Sequence, residues 1–301
     1  MNEEKYRVLL YYKFVKIEES EAYAQNHLEF CKRLGVLGRI IIAEEGINGT
    51  LSGTYKQTET YINEIHKDPK FSDIEFKTDD INGHVFKKLH VRHKKEIVTF
   101  RSEHDINPNT LTGKYLEPVE FNKALQENDV VILDGRTDYE YNLGHFKNAI
   151  RPEVKSFREF PEWIKKNLSQ YKGKKVLTYC TGGIRCEKLS AFMLKEGFKD
   201  VYQLHGGIIK YSKDPEVKGK HFKGKCYVFD ERISIPVNYA EEYIITGECL
   251  HCGKSTDRYV NCANLDCHKQ HFECEECEVK WIRSCSKECM SARRHEINLL
   301  V

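Results

Sequence analysis

The chain has no long apolar run. No stretch of its 301 residues approaches the roughly 20 apolar residues that a membrane-spanning helix needs. The opening residues, MNEEKYRVLLYYKF, place acidic side chains before a short apolar run, whereas a secretory signal peptide starts with basic ones. We therefore expect a cytoplasmic protein with no membrane partner.

An excess of charge of one sign is also missing. The 48 basic and 46 acidic residues nearly cancel, which leaves a formal net charge of +2. This balance excludes a globally basic nucleic-acid binder but permits a local basic patch. Hydrophobic residues make up 40% of the chain, which is long enough for two or three domains with their own cores.

Flavin and nicotinamide fingerprints are absent from the sequence, so neither cofactor is expected. The spacing His66-x-Asp68 matches part of an iron site made of two histidines and one carboxylate. That spacing is common by chance, and we expect no iron there.

Cys180 is the first candidate for chemistry. The residues from Val176 to Tyr179 favour a buried strand, Gly182 and Gly183 break it, and apolar residues then recur at helical spacing. Loop N–H groups, the helix N-terminus and Arg185 would favour a thiolate on a cysteine in this position. A lone cysteine beside a glycine turn is more often inert and buried, but the order cysteine, Gly-Gly, arginine, helix favours a reactive one.

The predicted active-site loop comprises Cys180, Thr181, Gly182, Gly183, Ile184 and Arg185. Cys186 follows it in the first helical turn and is a candidate resolving thiol. The alternative is an ordinary small side chain, which helix starts accept readily.

A basic segment at 84–95, HVFKKLHVRHKK, contains five Lys or Arg residues, three histidines and no carboxylate. It is either a solvated strand and turn or a surface that follows phosphates. In the second case Phe86 and the histidines would stack on unpaired bases. The candidate RNA-binding residues are Lys87, Lys88, Arg92, Lys94 and Lys95.

Eight of the twelve cysteines fall between Cys249 and Cys289. In a chain of this kind, reduced thiols that hold metal are favoured over disulfides. Paired thiolates two residues apart can share one tetrahedral ion, so eight suffice for two structural zinc ions. The predicted ligands are Cys249, Cys252, Cys262, Cys267, Cys274, Cys277, Cys285 and Cys289. His251, His268 or His271 could replace a thiolate, and sequential and cross-braced pairing both stay open.

The order of elements predicts an α/β and α+β protein of several domains. Residues 1–96 follow a βαββαβ pattern, which is typical of a ferredoxin-like, or acylphosphatase-like, sandwich and leaves RNA binding possible there. Turn-rich residues at 44–50 precede its third strand, and Ile74 to Lys77 supply the fourth. Residues 97–120 resemble a linker, 121–213 alternate strands with helices around a parallel sheet, and 214–301 form a Cys-rich metal-binding region. Capping boxes are predicted at Thr54 with Gln57, Thr137 with Glu140 and Ser156 with Glu159.

The run CTGGIR at 180–185 resembles the active-site loop of rhodanese-domain sulfurtransferases, whose cysteine carries a persulfide. Asp134-Gly135-Arg136 with Glu140-Tyr141 resembles the first signature of that family, and Gly206-Gly207 resembles its closing turn. The related dual-specificity phosphatases use a loop one residue longer to hold phosphate. Sulfur chemistry is therefore favoured over phosphate chemistry.

The resemblance extends over nearly the whole chain. CTGGIRCEK at 180–188, EEGINGTLSG at 44–53, FREFPEW at 157–163, YVFDER from Tyr227 and CAN…C at 262–267 resemble the rhodanese-domain tRNA uridine(34) hydroxylases, the TrhO family. This resemblance implies oxygen-dependent conversion of the wobble uridine of tRNA to 5-hydroxyuridine, with a persulfide-type cysteine at Cys180. Molecular oxygen would be the cosubstrate, while the sulfur or electron donor is left unidentified.

Two other functions stay open at this point. A thiosulfate or persulfide sulfurtransferase would need only residues 121–213. A zinc-dependent, noncatalytic RNA or protein adaptor would use the basic segment and the cysteine array, and Cys180 would be idle.

Overall fold

The computed structural model describes residues 5–267 and 269–296. The N-terminal unit consists of β1 (Tyr6–Phe14), α1 (Ser20–Leu34), β2 (Leu37–Ala43), β3 (Gly46–Thr54), α2 (Tyr55–Lys67), β4 (Lys77–Ile81) and β5 (Leu89–His93). The sheet order is β4-β1-β3-β2-β5, and β5 joins β2 in parallel while β1, β2, β3 and β4 pair antiparallel. The order β4-β1-β3-β2 confirms the predicted ferredoxin-like sandwich, to which β5 adds one edge strand.

The two faces of this sheet have different neighbours because side chains alternate along a strand. Leu9 and Tyr11 of β1 point to one face and share a core with Ala24 of α1 and Tyr61 of α2. Leu10 belongs instead to the core of the following domain. The sheet therefore carries its two helices on one face and rests on the central domain with the other.

Two strand predictions in this unit were wrong in position. The turn-rich residues 44–50 are mostly strand, since Ala43 pairs with Gly46 and leaves a two-residue turn. The glycines reflect close packing: a Cβ on Gly49 would lie 2.3 Å from the Tyr11 ring. The fourth strand begins at Lys77, because Ile74 is buried in the core from the loop before it. The capping box of Thr54 with Gln57 is confirmed.

The central unit consists of β6 (Lys114–Leu116), α3 (Pro118–Ala124), β7 (Val131–Asp134), α4 (Asp138–Leu143), β8 (Gly144–Phe146), α5 (Phe160–Asn167), β9 (Lys175–Tyr179), α6 (Ile184–Lys195), β10 (Asp200–Leu204) and α7 (Gly207–Lys213). Its sheet has the order β6-β10-β9-β7 and is parallel throughout. Apolar clusters lie on both faces, as buried parallel sheets require. The stretch predicted as a linker, 97–120, carries β6 and buries Ile97 and Phe100.

Of the two capping boxes predicted in this unit, one forms. Thr137 and Glu140 cap α4 reciprocally. The box of Ser156 with Glu159 was a wrong prediction, because the Glu159 carboxylate accepts from the backbone N–H of Lys155 instead, at 3.1 Å. The segment makes a single 3₁₀ turn at Phe157–Glu159, and α5 begins only after it.

The C-terminal region consists of β11 (Phe222–Tyr227), β12 (Ser234–Pro236), β13 (Tyr259–Asn261), β14 (Gln270–Phe272), α8 (Glu275–Trp281) and α9 (Lys287–Met290). β11 pairs with β8 of the central unit and with β12, while β13 and β14 form a separate hairpin. The region is thus attached through β11. Within the described ranges, the helices are too short or too polar to cross a bilayer.

Candidate active site

Cys180 lies at the carboxyl end of β9, where the chain turns into α6. Its side chain is fully buried, and the backbone N–H of Gly183 donates to its Sγ at 3.2 Å. Gly183 has a φ of 104°, a conformation that residues with a Cβ rarely adopt. The predicted strand, glycine turn and helix are therefore present, and the turn aims loop amides at the sulfur.

Charge and hydrogen bonds make Cys180 a stabilised thiolate. Burial alone would raise the pKa of this thiol. A hydrogen bond from the Cys186 thiol, the charge of Arg185 and the backbone N–H groups of both residues outweigh burial and lower the pKa to about 6. These surroundings favour the nucleophilic thiolate form.

Arg185 acts on Cys180 from a fixed position. Its guanidinium donates to both carboxylate oxygens of Glu140, at 2.7 and 2.8 Å, and to the Thr181 hydroxyl at 3.2 Å. Glu140 is fully buried, and the guanidinium keeps the pKa of that carboxyl below its ordinary value against the effect of burial. Glu140 also caps α4, so this ion pair couples the loop to a second helix.

Cys186 lies beside Cys180 and is itself buried. Burial and the neighbouring Cys180 sulfur raise the pKa of Cys186 well above its ordinary value. It therefore remains a neutral thiol beside the Cys180 sulfur. Two sulfurs in this contact suit the resolving role, which stays a prediction.

The closing turn of the central domain supports the loop from below. The N–H of Ile208 donates to the Cys180 carbonyl at 3.0 Å, and that of Ile209 to the Thr181 carbonyl at 3.1 Å. A Cβ on Gly207 would lie only 2.5 Å from the Cys180 carbonyl oxygen. A glycine is thus required where the Gly206-Gly207 turn meets the loop.

The N-terminal sheet covers the loop from above. A Cβ on Gly182 would lie 2.9 Å from Leu10, and one on Gly183 would lie 2.8 Å from the Tyr12 hydroxyl. These two side chains of β1 form a roof, a name used below for Leu10 and Tyr12 only. Cys180 is consequently closed off by a domain other than its own.

A cavity of about 250 Å³ lies between the two domains beside this roof. Its lining includes Tyr12, Lys77, Tyr115, Glu187 and His205. The hydroxyls of Tyr12 and Tyr115 donate to the Glu187 carboxylate at 2.9 Å each. Burial lowers the pKa of Lys77 to about 8, while the nearby carboxylate of Glu75 and the Cys180 thiolate act in the opposite direction. The cavity thus offers anionic, cationic and hydroxyl groups near the thiolate.

Sequence reasoning missed the polar lining of this cavity. Tyr12 and Lys77 belong to one domain, and Tyr115 and Glu187 to the other. Nothing in the linear order signals that strand residues of the first domain meet the first turn of α6. Only Glu187, which directly follows the predicted loop and Cys186, had a position that could have suggested a role.

The basic segment lies on and around the edge strand β5. All five predicted RNA-binding residues, Lys87, Lys88, Arg92, Lys94 and Lys95, are exposed. Lys87 and Lys88, with Arg39 and His90, line a cavity of about 710 Å³ that also reaches Phe229. Lys95 lines a different depression. The expectation that Phe86 stacks on bases was wrong, because Phe86 is 5% exposed and packs against Val8 and Val85.

Phe229 connects the basic cavity with the active-site loop. Its ring lies 5.7 Å from the Arg185 guanidinium carbon and is 46% exposed. It also lines a smaller apolar pocket with Leu10, Lys77 and Thr181. Phe229 therefore borders both the basic cavity at β5 and the apolar pocket beside the active-site loop.

The eight cysteines form two cross-braced clusters. One is Cys249, Cys252, Cys274 and Cys277, and the other is Cys262, Cys267, Cys285 and Cys289. Sulfur–sulfur distances of 3.6 to 3.7 Å within them match the separation of about 3.8 Å expected for four thiolates around zinc with Zn–S bonds near 2.3 Å. Each cluster can hold a metal ion, with four thiolates and without help from a histidine. His251 and His271 lie elsewhere, and His268 is outside the described residues.

Comparison with known proteins gives three family matches along the chain. The UPF0176 acylphosphatase like domain matches residues 6–97, the Rhodanese-like domain matches 117–214, and the Rhodanase C-terminal family matches 223–290. These families cover the N-terminal sandwich, the parallel sheet with Cys180, and both cysteine clusters.

Individual relatives match over nearly the full length. A tRNA uridine(34) hydroxylase of Bacillus licheniformis is 58% identical over 296 residues, which is 98% of this chain and 91% of that protein. The proteins of the same name from Bacillus cytotoxicus and Bacillus velezensis are 57% and 55% identical. The matches cover 94% and 97% of this chain, and 87% and 91% of those proteins.

Proposed function

The chain belongs to the tRNA uridine(34) hydroxylase family, and we propose that it converts the wobble uridine of tRNA to 5-hydroxyuridine in the cytoplasm, with Cys180 as the reactive residue and molecular oxygen as cosubstrate. The structural observation that carries this proposal is the thiolate of Cys180 beneath the roof of a second domain. The cover places Leu10 and Tyr12 of the N-terminal domain over the sulfur, so that domain takes part in the site, whereas a plain sulfurtransferase would need only the central domain.

The Cys180 thiolate would act first as a nucleophile. Its sulfur forms a bond to C6 of uridine, and the π electron pair of C5=C6 moves onto C5 and the conjugated carbonyl. C5 then attacks an oxygen species. Loss of the C5 proton and departure of the thiolate restore the double bond. One atom of O₂ enters the base, and two electrons and two protons from an external donor convert the other to water.

The residues around Cys180 have separate roles in this scheme. The Gly183 N–H and the Arg185 charge stabilise the thiolate before attack and when it leaves. Lys77, at the cavity wall, would supply a cation to stabilise the enolate that develops on the base. Cys186 would attack the Cys180 sulfur of a sulfenic acid or persulfide and form a Cys180–Cys186 disulfide, and the S–O or S–S bond broken would release water or hydrosulfide.

Lys87, Lys88, Arg92, Lys94 and Lys95 would bind phosphates of the anticodon arm. Their surface lies in the N-terminal domain that also supplies the roof. Phosphate contacts there position the substrate without reading its sequence. Binding at β5 would therefore place the anticodon next to the domain boundary that covers Cys180.

Two zinc ions would hold the C-terminal region together. The buried apolar cluster around one of the two sites consists of its own ligands Cys249, Cys274 and Cys277, with Trp281 packed against them. Metal binding supplies folding free energy in regions with so small a core. The ions would be structural, because each has four thiolate ligands and no open position.

The proposal is tested by mass spectrometry of tRNA nucleosides from cells that lack this protein. We expect 5-hydroxyuridine and its derivatives to vanish and to return with the wild-type chain. In cells given heavy-isotope O₂, the hydroxyl oxygen of the restored nucleoside should carry the label. Unchanged nucleosides in the deletion strain would contradict the hydroxylase function, and turnover of thiosulfate and cyanide without RNA would then favour a sulfurtransferase.

A further inference from the structure

Three side chains outside the cysteine clusters converge in the C-terminal region. They are His251, His271 and Glu273, and their ligand atoms all lie within 4.8 Å of one another. The Glu273 carboxylate is 3.3 Å from Nε2 of His251 and 3.6 Å from Nε2 of His271. Two imidazoles and one carboxylate at these separations form the donor set of a transition-metal site.

These side chains are buried and their polar atoms are unpartnered. The side chains of His251, His271 and Glu273 are 6%, 3% and 0% exposed. In the described part of the chain, Nε2 of His251, both ring nitrogens of His271 and both oxygens of Glu273 have no hydrogen-bond partner. Leaving so many polar groups desolvated and unpaired is unfavourable, and a cation among them would remove the cost.

Packing sets the orientation of the His251 ring. Its Nε2 faces the Glu273 carboxylate at 3.3 Å. The ring also stacks on Trp281, with centroids 4.1 Å apart and planes 9° apart. Its orientation is therefore fixed before any ion binds.

The trio is distinct from both thiolate clusters. Each cluster already has four sulfurs, and neither includes a histidine or a carboxylate. His251 lies in the turn between Cys249 and Cys252, and Glu273 directly precedes Cys274 of the same cluster. An ion at this place would therefore lie beside that thiolate cluster.

We propose that His251, His271 and Glu273 bind a third ion, a divalent first-row transition metal. The hard carboxylate and borderline imidazoles suit zinc and iron(II) alike, whereas sulfur donors are excluded from the site. Three protein ligands leave at least one coordination position for a small molecule such as water. This inference concerns binding and does not depend on the proposed reaction.

Elemental analysis of the full-length protein, purified anaerobically, tests the proposal. We expect three transition-metal ions per chain in the wild type and two in Glu273→Gln and in His271→Gln. His104→Gln, a substitution of an exposed histidine in another domain, is the matched control and should keep three. The element lost with Glu273→Gln distinguishes zinc from iron. Two ions in the wild type, or three in both trio variants, would overturn the proposal.

A second measurement covers the case in which the variants fail to fold. In wild-type protein loaded with cobalt(II), a graded chelator should remove one ion per chain while the thiolate-to-cobalt charge-transfer absorption of the clusters is kept. If the charge-transfer absorption instead falls as soon as the first cobalt ion per chain is removed, the proposal is overturned, because that ion then came from a thiolate site.

Discussion

The Cys186 thiol, which helps to lower the pKa of Cys180, offers the sharpest test of how the site activates that cysteine. Cys186→Ala removes the donor, whereas Cys186→Ser keeps a donor of similar size at the same place. We expect alanine to raise the pKa of Cys180 and serine to leave it close to the wild-type value. The two variants differ in one hydroxyl group, so a general loss of packing affects both.

The size of the effect follows from the energy of one hydrogen bond to a charged group. Such a bond contributes about 1.5 to 3 kcal/mol, which corresponds to roughly one to two pKa units. The wild-type pKa is about 6, against an ordinary value of 9.0. The alanine variant should therefore titrate at about 7 to 8. At pH 7 the thiolate fraction would fall from about nine-tenths to between about one-half and one-tenth.

The ultraviolet absorbance of the thiolate reports this titration. Each spectrum is taken as a difference from the same protein with Cys180→Ala, which removes the signal of the metal-bound thiolates. The free energy of unfolding gives a second readout: a pKa lowered in the native state adds stability at high pH, and this stability is lost as pH falls from 9 through 6. Equal pKa values in the alanine and serine variants, or a wild-type midpoint above pH 8, would refute the reasoning.

Three further results are expected. Arg185→Gln leaves Glu140 buried without its cation and should lower the free energy of unfolding by about 3 to 5 kcal/mol in urea denaturation. The double variant Arg185→Gln with Glu140→Gln should recover most of this loss. Equal stability of the single and the double variant would contradict the ion-pair argument. Lys87→Glu should weaken tRNA binding and reduce its salt dependence in filter-binding assays. The control Lys166→Glu, on an exposed face of α5, should change neither. Equal effects of the two substitutions would show that β5 does not bind tRNA. Cys249→Ser should release one zinc ion per chain and leave the other cluster loaded. Full retention of zinc would contradict the assignment of Cys249 as a metal ligand.

Local patterns were sufficient to predict much of the fold. The βαββαβ order and two capping boxes depend on contacts within a few residues, and the structure confirms them. The errors occurred where long-range packing overrides local preference. Gly49 indicated a turn, yet it lies in a strand because the Tyr11 ring needs the space above it. Phe86 indicated a stacking surface, yet it is buried against Val8 of a distant strand.

In the candidate site, too, the contiguous part was predicted from the sequence and the part formed by distant residues was not. Cys180 and its loop are contiguous, so their sequence predicted a strand, a turn and a helix around one sulfur. The roof and the Glu187 network join residues about 175 positions apart, and no spacing in the sequence indicates such contacts. The partner of His251 could not be found either. Its ligand-like geometry depends on Glu273, a residue with no recognisable spacing to it.

The most direct test of the central claim is the amount of 5-hydroxyuridine at position 34 of tRNA in cells whose only copy of this protein carries Cys180→Ala. The measurement uses mass spectrometry of isolated anticodon fragments, with protein levels matched to the wild type and with Lys166→Glu as a control for expression. We expect no modification in the Cys180 variant and full modification in the control. Normal modification in the Cys180 variant would contradict the assignment of this thiolate as the reactive group.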